Sequence, residues 1–236
     1  MRHYQDCLEM IKEVERDLAE MGIEYQSFSV QDKIVEHDEG FKTKELVGYA
    51  YKLFPHENKF GGIEDMIRYK QDAQYVRWVH AEINERLNPV YTVNPGSAWM
   101  KNGPFWNEYL RQGKFSYTYA ERWNEQLIYI IDELNRHPES RQVIMTMYDR
   151  HQDMMNWGGL DRVPCSLTYH FLIRDNKLNL IYSQRSCDFV NFFSSDVYCT
   201  LTLMSYVTSL LKCQLGTFTH IVNSLHAFKK DMEGVF

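Results

Sequence analysis

The chain has 236 residues, 44% of them hydrophobic, and carries a net charge of −6 from 26 basic and 32 acidic side chains. That length and apolar content suffice for one sizeable core, so a single domain over 1–236 is expected. The acidic balance argues against a general binder of nucleic acid or of anionic membranes, while a local basic pocket is compatible with it.

The five cysteines, Cys7, Cys165, Cys187, Cys199 and Cys213, form no C-x-x-C pair. Neither a zinc site nor a disulfide framework is suggested, and no metal is expected. An odd number of thiols suits a reducing cytoplasm. The first residues, MRHYQDCLEMIKEVERD, are too charged for a signal peptide, and no apolar run approaches the length of a membrane span. A soluble, cytoplasmic protein is expected.

In chain order, Tyr4, Leu8, Ile11, Glu15 and Leu18 fall at helical spacing, with Gly22 as a stop signal. The segment Phe28–Tyr51 alternates as strands do, with Gly40 in a turn and Lys42 at a strand end. Over 61–106, Ile63, Ile67, Tyr75, Trp78, Val79, Ile83 and Leu87 form an apolar helical stripe, beside which lie Glu82 and Glu85. The stretch 88–104, NPVYTVNPGSAWMKNGP, is rich in proline, glycine and asparagine and reads as a loop, with Trp99 as its anchor or as a pocket wall. Trp123, Leu127, Ile130, Ile131 and Leu134 then predict a helix of about four turns ended near Pro138. The apolar run VIMTMY predicts a strand.

The stretch from Val163 to Asp196 is the densest in chemistry. Tyr169–Arg174 and Lys177–Gln184, joined by Asp175-Asn176, read as a hairpin. It can hold Cys165, Arg185 and Asp188 around one cleft. A lone cysteine is more often an inert buried residue than a nucleophile. A thiolate, however, is a soft nucleophile that needs positive surroundings, and Arg185 on the neighbouring strand is the obvious provider. Asp196 stands where it can cap a helix over Val197–Lys212, and capping is compatible with ligand recognition. Gly216 reads as the end of that helix. FTHIVNSLHAF reads as a strand and turn bearing His220, a structural residue, and His226.

The order Pro164-Cys165, then Tyr182-Ser183-Gln184-Arg185-Ser186-Cys187-Asp188, then Ser224-Leu225-His226 resembles the thymidylate synthase superfamily. Tyr119-Ala120-Glu121-Arg122-Trp123 is similar to its Tyr-Gly-x-x-Trp, and Pro138-Glu139-Ser140-Arg141-Gln142 to its Pro-x-Ser-Arg-Arg. The likeness runs from about Tyr119 to Phe228. It implies an α+β fold with a mixed sheet and packed helices, in a homodimer with shared active sites. It also implies transfer of a one-carbon unit from 5,10-methylenetetrahydrofolate to carbon 5 of a pyrimidine nucleotide monophosphate, with Cys165 adding to carbon 6.

The resemblance implies roles for single residues. Arg185 and Ser186 bind the phosphate, guanidinium geometry being matched to phosphate oxygens. Arg141 reaches across the dimer to the other phosphate, and Lys42 is a further phosphate contact. Glu82, at close to the family's spacing before Tyr119, shuttles protons through ordered water. Asp188 fixes the pyrimidine or pterin edge, Trp99 is the candidate pterin wall, and His226 reaches the sugar hydroxyl. Gln142 replaces a second arginine, Phe192 a glycine and Phe228 a tyrosine. The short stretch after Phe228 implies less closure over folate and entry of water.

Two departures bear on the base. Ser166 follows Cys165 where synthases have histidine, a loss shared with deoxycytidylate hydroxymethylases. Asp196 stands where synthases have asparagine. An amide can donate to the uracil carbonyl and accept from the ring N–H, whereas cytosine presents the opposite pattern, which a carboxylate accepts from. The expectation is therefore dCMP + methylenetetrahydrofolate + water giving 5-hydroxymethyl-dCMP + tetrahydrofolate. A CMP 5-hydroxymethylase or a dCMP 5-methyltransferase are the nearest alternatives, and a non-catalytic nucleotide-binding relative is the alternative of another class.

Overall fold

A computed structural model of the chain describes residues 1–30, 33–88, 94–156 and 161–231. The chain opens with β1 (Arg2–Tyr4), α1 (Cys7–Met21) and β2 (Ile23–Gln26), followed by a two-stranded ribbon, β3 (Ser29–Val30) and β4 (Lys33–Ile34). β5 (Lys42–Leu53) leads to α2 (Ile63–Arg68), α3 (Ala73–Leu87), α4 (Ala98–Lys101) and α5 (Tyr119–Arg136). Then come β6 (Ile144–Thr146), β7 (Ser166–Arg174), β8 (Lys177–Gln184), β9 (Cys187–Asp188), α6 (Ser194–Leu211) and β10 (Gln214–Phe228).

The main sheet runs β1-β5-β10-β8-β7-β6, with β2 beside β5 and β9 beside β10. It is mixed: β10 pairs antiparallel with β5 and parallel with β8 and β9, while β7 and β8 form the expected hairpin. Asp175 and Asn176 both adopt positive φ, the conformation of a two-residue turn that matches the strand twist. Along β8, buried Leu178, Leu180, Tyr182 and Gln184 alternate with half-buried Asn179, Ile181 and Ser183. The helices pack on the first of these faces. Among the described residues no helix is long and apolar enough to cross a membrane.

Local sequence explains the main helices. Asp6 accepts from the N–H groups of Leu8 and Glu9 to start α1, which buries Met10, Ile11, Val14 and Leu18. The stripe expected over 61–106 resolves into α2 and α3, with Ile67, Trp78, Val79 and Ile83 buried. α5 starts with a reciprocal cap: the Glu121 N–H donates to Thr118 Oγ1 at 3.1 Å, and the Thr118 N–H donates to Glu121 Oε2 at 2.8 Å. Its Trp123 is fully buried edge-on to Tyr169, with ring centroids 5.4 Å apart. Of the expected loop over 88–104, residues 89–93 lie outside the described residues, and the rest contains the short helix α4.

Three expectations need correction. Residues 218–228 are not a strand and turn but part of the single strand β10, because it has hydrogen-bonded neighbours on both sides. Gly216 does not end α6; Lys212 does, with φ of 52°. Gly216 lies at a register shift in β10, where an added Cβ would sit 2.7 Å from the Leu178 carbonyl oxygen. Asp196 does not cap α6 either. One π-helical turn, Phe189–Phe193, precedes α6, and Asp188 caps it by accepting from Val190 and Asn191 N–H.

The cap at Thr118 sets the start of α5 and hence the position of Tyr119. Thr118→Ala is expected to lower folding stability by about 1 kcal/mol, read as a shifted urea midpoint at unchanged slope. An unmoved midpoint shows that the cap contributes nothing.

Candidate active site

A cavity of about 880 Å³ lies between α3, α5, α6 and the ends of the central strands. Cys165, Arg185, Ser186 and Asp188 line it from the hairpin side. Glu82 from α3, Trp99 from α4, Asp196 from α6 and His226 from β10 are the other expected residues on its wall.

Cys165 is held by the turn into β7. The Arg185 N–H donates to the Cys165 carbonyl at 2.8 Å, and the N–H groups of Cys165 and Ser166 donate to Tyr119 Oη at 3.2 and 3.3 Å. The Arg185 side chain donates to the carbonyls of Pro164 and Val163 at 2.9 and 2.8 Å, which brings Nη2 to 3.9 Å from Cys165 Sγ. Burial pushes the thiol above its ordinary pKa, while Arg185 and then Arg162 pull it down. Burial prevails, so the resting group is a thiol beside a fixed cation.

Asp196 faces the same cavity. Gln184 Nε2 donates to its Oδ2 at 2.7 Å. Burial raises its pKa to about 6, against the lowering effects of Arg86 and of the Gln184 hydrogen bond. Arg86 escaped the sequence reading. Its buried guanidinium donates to Glu82 Oε1 at 2.8 Å and lies 4.4 Å from the Tyr119 ring centroid and 5.3 Å from that of Trp123. The i, i+4 spacing of Glu82 and Arg86 on an otherwise apolar stripe was the available signal. Glu85 is structural. Its Oε1 accepts from Ser97 Oγ and from the Ala98 N–H, both at 2.8 Å, which anchors α4 and with it Trp99.

At the other end, Asp188 accepts from Val190 and Asn191 N–H through Oδ1 and from Asn191 Nδ2 through Oδ2. His226 stands opposite Asp188 in the β9–β10 register. Its ring lines the cavity, while its Nδ1 is buried with no hydrogen-bond partner among the described residues. The aromatic wall is built from Phe192, edge-on to Trp78 at 6.0 Å and inclined to Trp106 at 5.7 Å, with Trp99 against Phe115 at 6.3 Å. Arg162 lies over the Trp106 ring at 4.3 Å, a second cation on the wall that sequence reasoning missed.

Two expected residues are elsewhere. Lys42 pairs with Glu24 at 2.6 Å and does not line the cavity. Lys230 does, its Nζ 3.9 Å from the Phe41 ring centroid. Arg141 is exposed between α5 and β6, away from the cavity wall, and its carbonyl accepts from His170 Nε2 at 3.1 Å. Among the described residues no three His, Cys, Asp or Glu side chains are grouped to hold a metal ion.

Comparison with known proteins agrees with this arrangement. Residues 63–236 match the family model "Thymidylate synthase". A protein of Methanosarcina mazei named "Putative thymidylate synthase" is 28% identical over 213 residues, 76% of this chain and 96% of that protein. A protein of the same name from Methanosarcina barkeri is 32% identical over 127 residues, but the match spans only 51% of this chain and 57% of the relative's length. In fold, the chain is similar to thermostable thymidylate synthase A from Bacillus subtilis, with a TM-score of 0.74 over 98% of this chain and 82% of that one at 15% identity. With well over half its length matched by the family model and its cysteine, arginine and carboxylates gathered on one cavity, the chain belongs to the thymidylate synthase family.

Proposed function

We propose that the chain is a deoxycytidylate 5-hydroxymethyltransferase, converting dCMP, methylenetetrahydrofolate and water to 5-hydroxymethyl-dCMP and tetrahydrofolate. The observation that carries this reading is Asp196, a carboxyl group on the cavity wall with Oδ2 taken by an amide donor and a pKa of about 6. Cytosine offers an amino donor at position 4 and an unprotonated nitrogen at position 3. A carboxyl group holding one proton satisfies both, accepting from the amino group and giving its proton to the nitrogen. Uracil, with its carbonyl and N–H reversed, loses this fit.

The chemistry of the chain's own groups follows. Cys165, once deprotonated beside Arg185, adds to carbon 6. The displaced electron density runs through carbon 5 to nitrogen 3, where the proton held by Asp196 neutralises it. Glu82, held by Arg86, moves protons through ordered water. Arg185 and Ser186 hold the phosphate, joined by Arg141 from a second copy in a homodimer, and by Lys42 if its pair with Glu24 opens. The half-buried face of the sheet, with Ile181 and Ile221, supports such pairing. His226 offers its imidazole to the sugar hydroxyl, and Asp188 orders the turn beside the base. Trp99, Trp106 and Phe192 give a wall suited to a flat pterin, so the cavity fits a folate, which supplies a one-carbon unit at the oxidation level of formaldehyde.

Two further readings have specific support. The names of the relatives favour methylation of dUMP. Phe228, which has no hydroxyl for the sugar, weakens sugar recognition and leaves CMP beside dCMP as a substrate, and methylation of dCMP differs only in the last step. Folate-dependent release of tritium from carbon 5 of dCMP, CMP and dUMP, followed by product mass, separates these readings. Release from none of them identifies a nucleotide-binding relative.

Asp196→Asn is expected to lower the ratio of kcat/KM for dCMP to that for dUMP. A mispaired buried polar contact costs about 1–3 kcal/mol, so the ratio should fall by about ten- to hundredfold. The ratio cancels general damage to the protein, and an unchanged ratio removes the cytosine assignment.

Cys165→Ser and Arg141→Ala are each expected to lose turnover by orders of magnitude. Mixing the two variants in equal amounts should restore about one site in four, because one site of each heterodimer regains both groups. No recovery despite demonstrated subunit exchange shows that Arg141 acts within its own chain or not at all.

A further inference from the structure

We propose that His220 is a positioning residue for Asp196, fixing through Gln184 the hydrogen-bonding character that the carboxyl group offers inside the cavity. The proposal rests on the reading of Asp196 above for its effect on substrate choice, but its cause can be tested with no substrate present.

His220 is fully buried in the middle of β10, in register with Tyr51 of β5 on one side and Tyr182 of β8 on the other. Its ring stacks on Tyr182 at 4.8 Å and 12°, and Tyr182 stacks on Tyr169 at 4.5 Å and 14°. Three rings from three adjacent strands thus form one column, in which the imidazole is clamped. Its two nitrogens are both engaged: Nδ1 lies 2.9 Å from Tyr51 Oη, and Nε2 lies 2.8 Å from Gln184 Oε1. The same amide donates through Nε2 to Asp196 Oδ2 at 2.7 Å. A continuous buried chain therefore runs Tyr51–His220–Gln184–Asp196 and ends at the cavity.

The chain has two self-consistent polarities. Burial lowers the His220 pKa to about 3, so the ring is neutral at physiological pH, with one nitrogen donating and the other accepting. In the first polarity, Tyr51 donates to Nδ1, Nε2–H donates to the Gln184 carbonyl, and the amide N–H donates to Asp196. In the second, Nδ1–H donates to Tyr51, Nε2 accepts from the amide, and the amide carbonyl faces Asp196. The second polarity puts two acceptors in contact unless Asp196 is protonated on Oδ2. The first keeps Oδ2 an acceptor and leaves Oδ1 to hold the proton that cytosine needs. The His220 tautomer, two hydrogen bonds away from Asp196, thereby selects the form of the carboxyl group.

The groups that also act on Asp196 are not replaced when residue 220 is changed. Arg86 and Glu82 face it from α3, and Tyr119 from α5. Tyr169 and Tyr182 face it from the sheet. Tyr75 and the thiols of Cys165, Cys187 and Cys199 complete the surroundings.

The test is a carboxyl ¹³C NMR titration of the full-length protein, with Asp196 assigned by its loss in Asp196→Asn. His220→Phe keeps a ring in the stack but removes the donor to Gln184. It is expected to raise the Asp196 midpoint by about one pH unit, because a hydrogen bond to the charged form is weakened. Gln184→Leu should do at least as much, and His220→Gln, whose amide can donate where Nε2 did, should restore the wild-type value. Tyr51→Phe, which removes only one oxygen atom, should move the midpoint in the same direction and serves if His220→Phe does not fold. In parallel, the dCMP-to-dUMP ratio of kcat/KM should fall about tenfold in His220→Phe, because the freed Gln184 amide can turn its carbonyl to Asp196 and hold the proton on Oδ2 instead of Oδ1, and should recover in His220→Gln. A midpoint that moves in Gln184→Leu but in neither His220→Phe nor Tyr51→Phe overturns the proposal and leaves His220 as core filler. If the wild type turns over neither nucleotide, the substrate reading fails while the titration still decides the role of His220.

Discussion

The Arg86 guanidinium, buried between α3 and α5, is the constraint on which the rest of the site depends. Removing an arginine from water is costly unless its donors and charge are matched. Here Glu82 supplies a hydrogen-bonded countercharge, while the rings of Tyr119 and Trp123 supply polarisable faces. Asp196 lies in the same field and is held down by Arg86 against the upward push of burial. The two carboxyl groups thus share one cation. Glu82 has the direct bond, so Asp196 is the group left close to neutrality. Its pKa of about 6 is the outcome of burial, which Arg86 and the Gln184 hydrogen bond offset only in part while Glu82 adds a smaller upward push.

The second constraint is register. Cys165 and Arg185 meet because Ser166 pairs with Gln184 at the open end of the hairpin, so the residues flanking that pair on the two strands are adjacent. His220 meets Tyr182 because β10 runs parallel to β8, and Val222 stands beside Gln184 in the same ladder. A shift of one residue in either pairing would turn Gln184 to the half-buried face and break both its hydrogen bonds. The bulge at Gly216 belongs to this arrangement. It shifts the β8–β10 register between Leu215 and Phe218, and the Thr217 N–H is satisfied by Asn179 Oδ1 at 2.9 Å.

Local signals in the sequence disclosed the hairpin, the helices α1, α3 and α5, and the residues next to Cys165. Each depends on a repeat or a turn that fits within a short window of neighbouring residues. What escaped was set by distant partners. β10 looked divisible because alternation says nothing about how many neighbours a strand will have. Gly216 looked like a helix stop because the acceptor it approaches, the Leu178 carbonyl, is on another strand. His220 read as structural, and it is buried, but its partners could not be read because Tyr51 and Gln184 come from β5 and β8. Asp196 after two serines resembled a cap, but an inserted π turn moved capping to Asp188. Lys42 had a basic charge in a plausible loop, yet Glu24 on the neighbouring strand β2 lay closer than the cavity.

The proton inventory of the cavity follows from these placements. Burial raises both the Cys165 thiol and the Asp196 carboxyl, so each favours its neutral, protonated form more than it would in water. This has a cost in stability with a definite sign. For Asp196, folding favours the protonated form, so the penalty is absent below the ordinary carboxyl pKa of 3.8, grows as pH rises and is complete above about 6. The fold accepts this penalty at neutral pH for a group that could be replaced by an uncharged amide. In the proposed reaction the same elevation is useful, because thiol addition to a cytosine needs a proton delivered to ring nitrogen 3 as the sulfur bond forms. A carboxyl group with a pKa of about 6 is mostly ionised at pH 7, but it takes up a proton far more readily than one of ordinary acidity, and an asparagine has none of comparable acidity to give. In the proposed reaction the strain on Asp196 and the polarity of the base are therefore one property, produced by burying the carboxyl beside a cation that is already committed to Glu82.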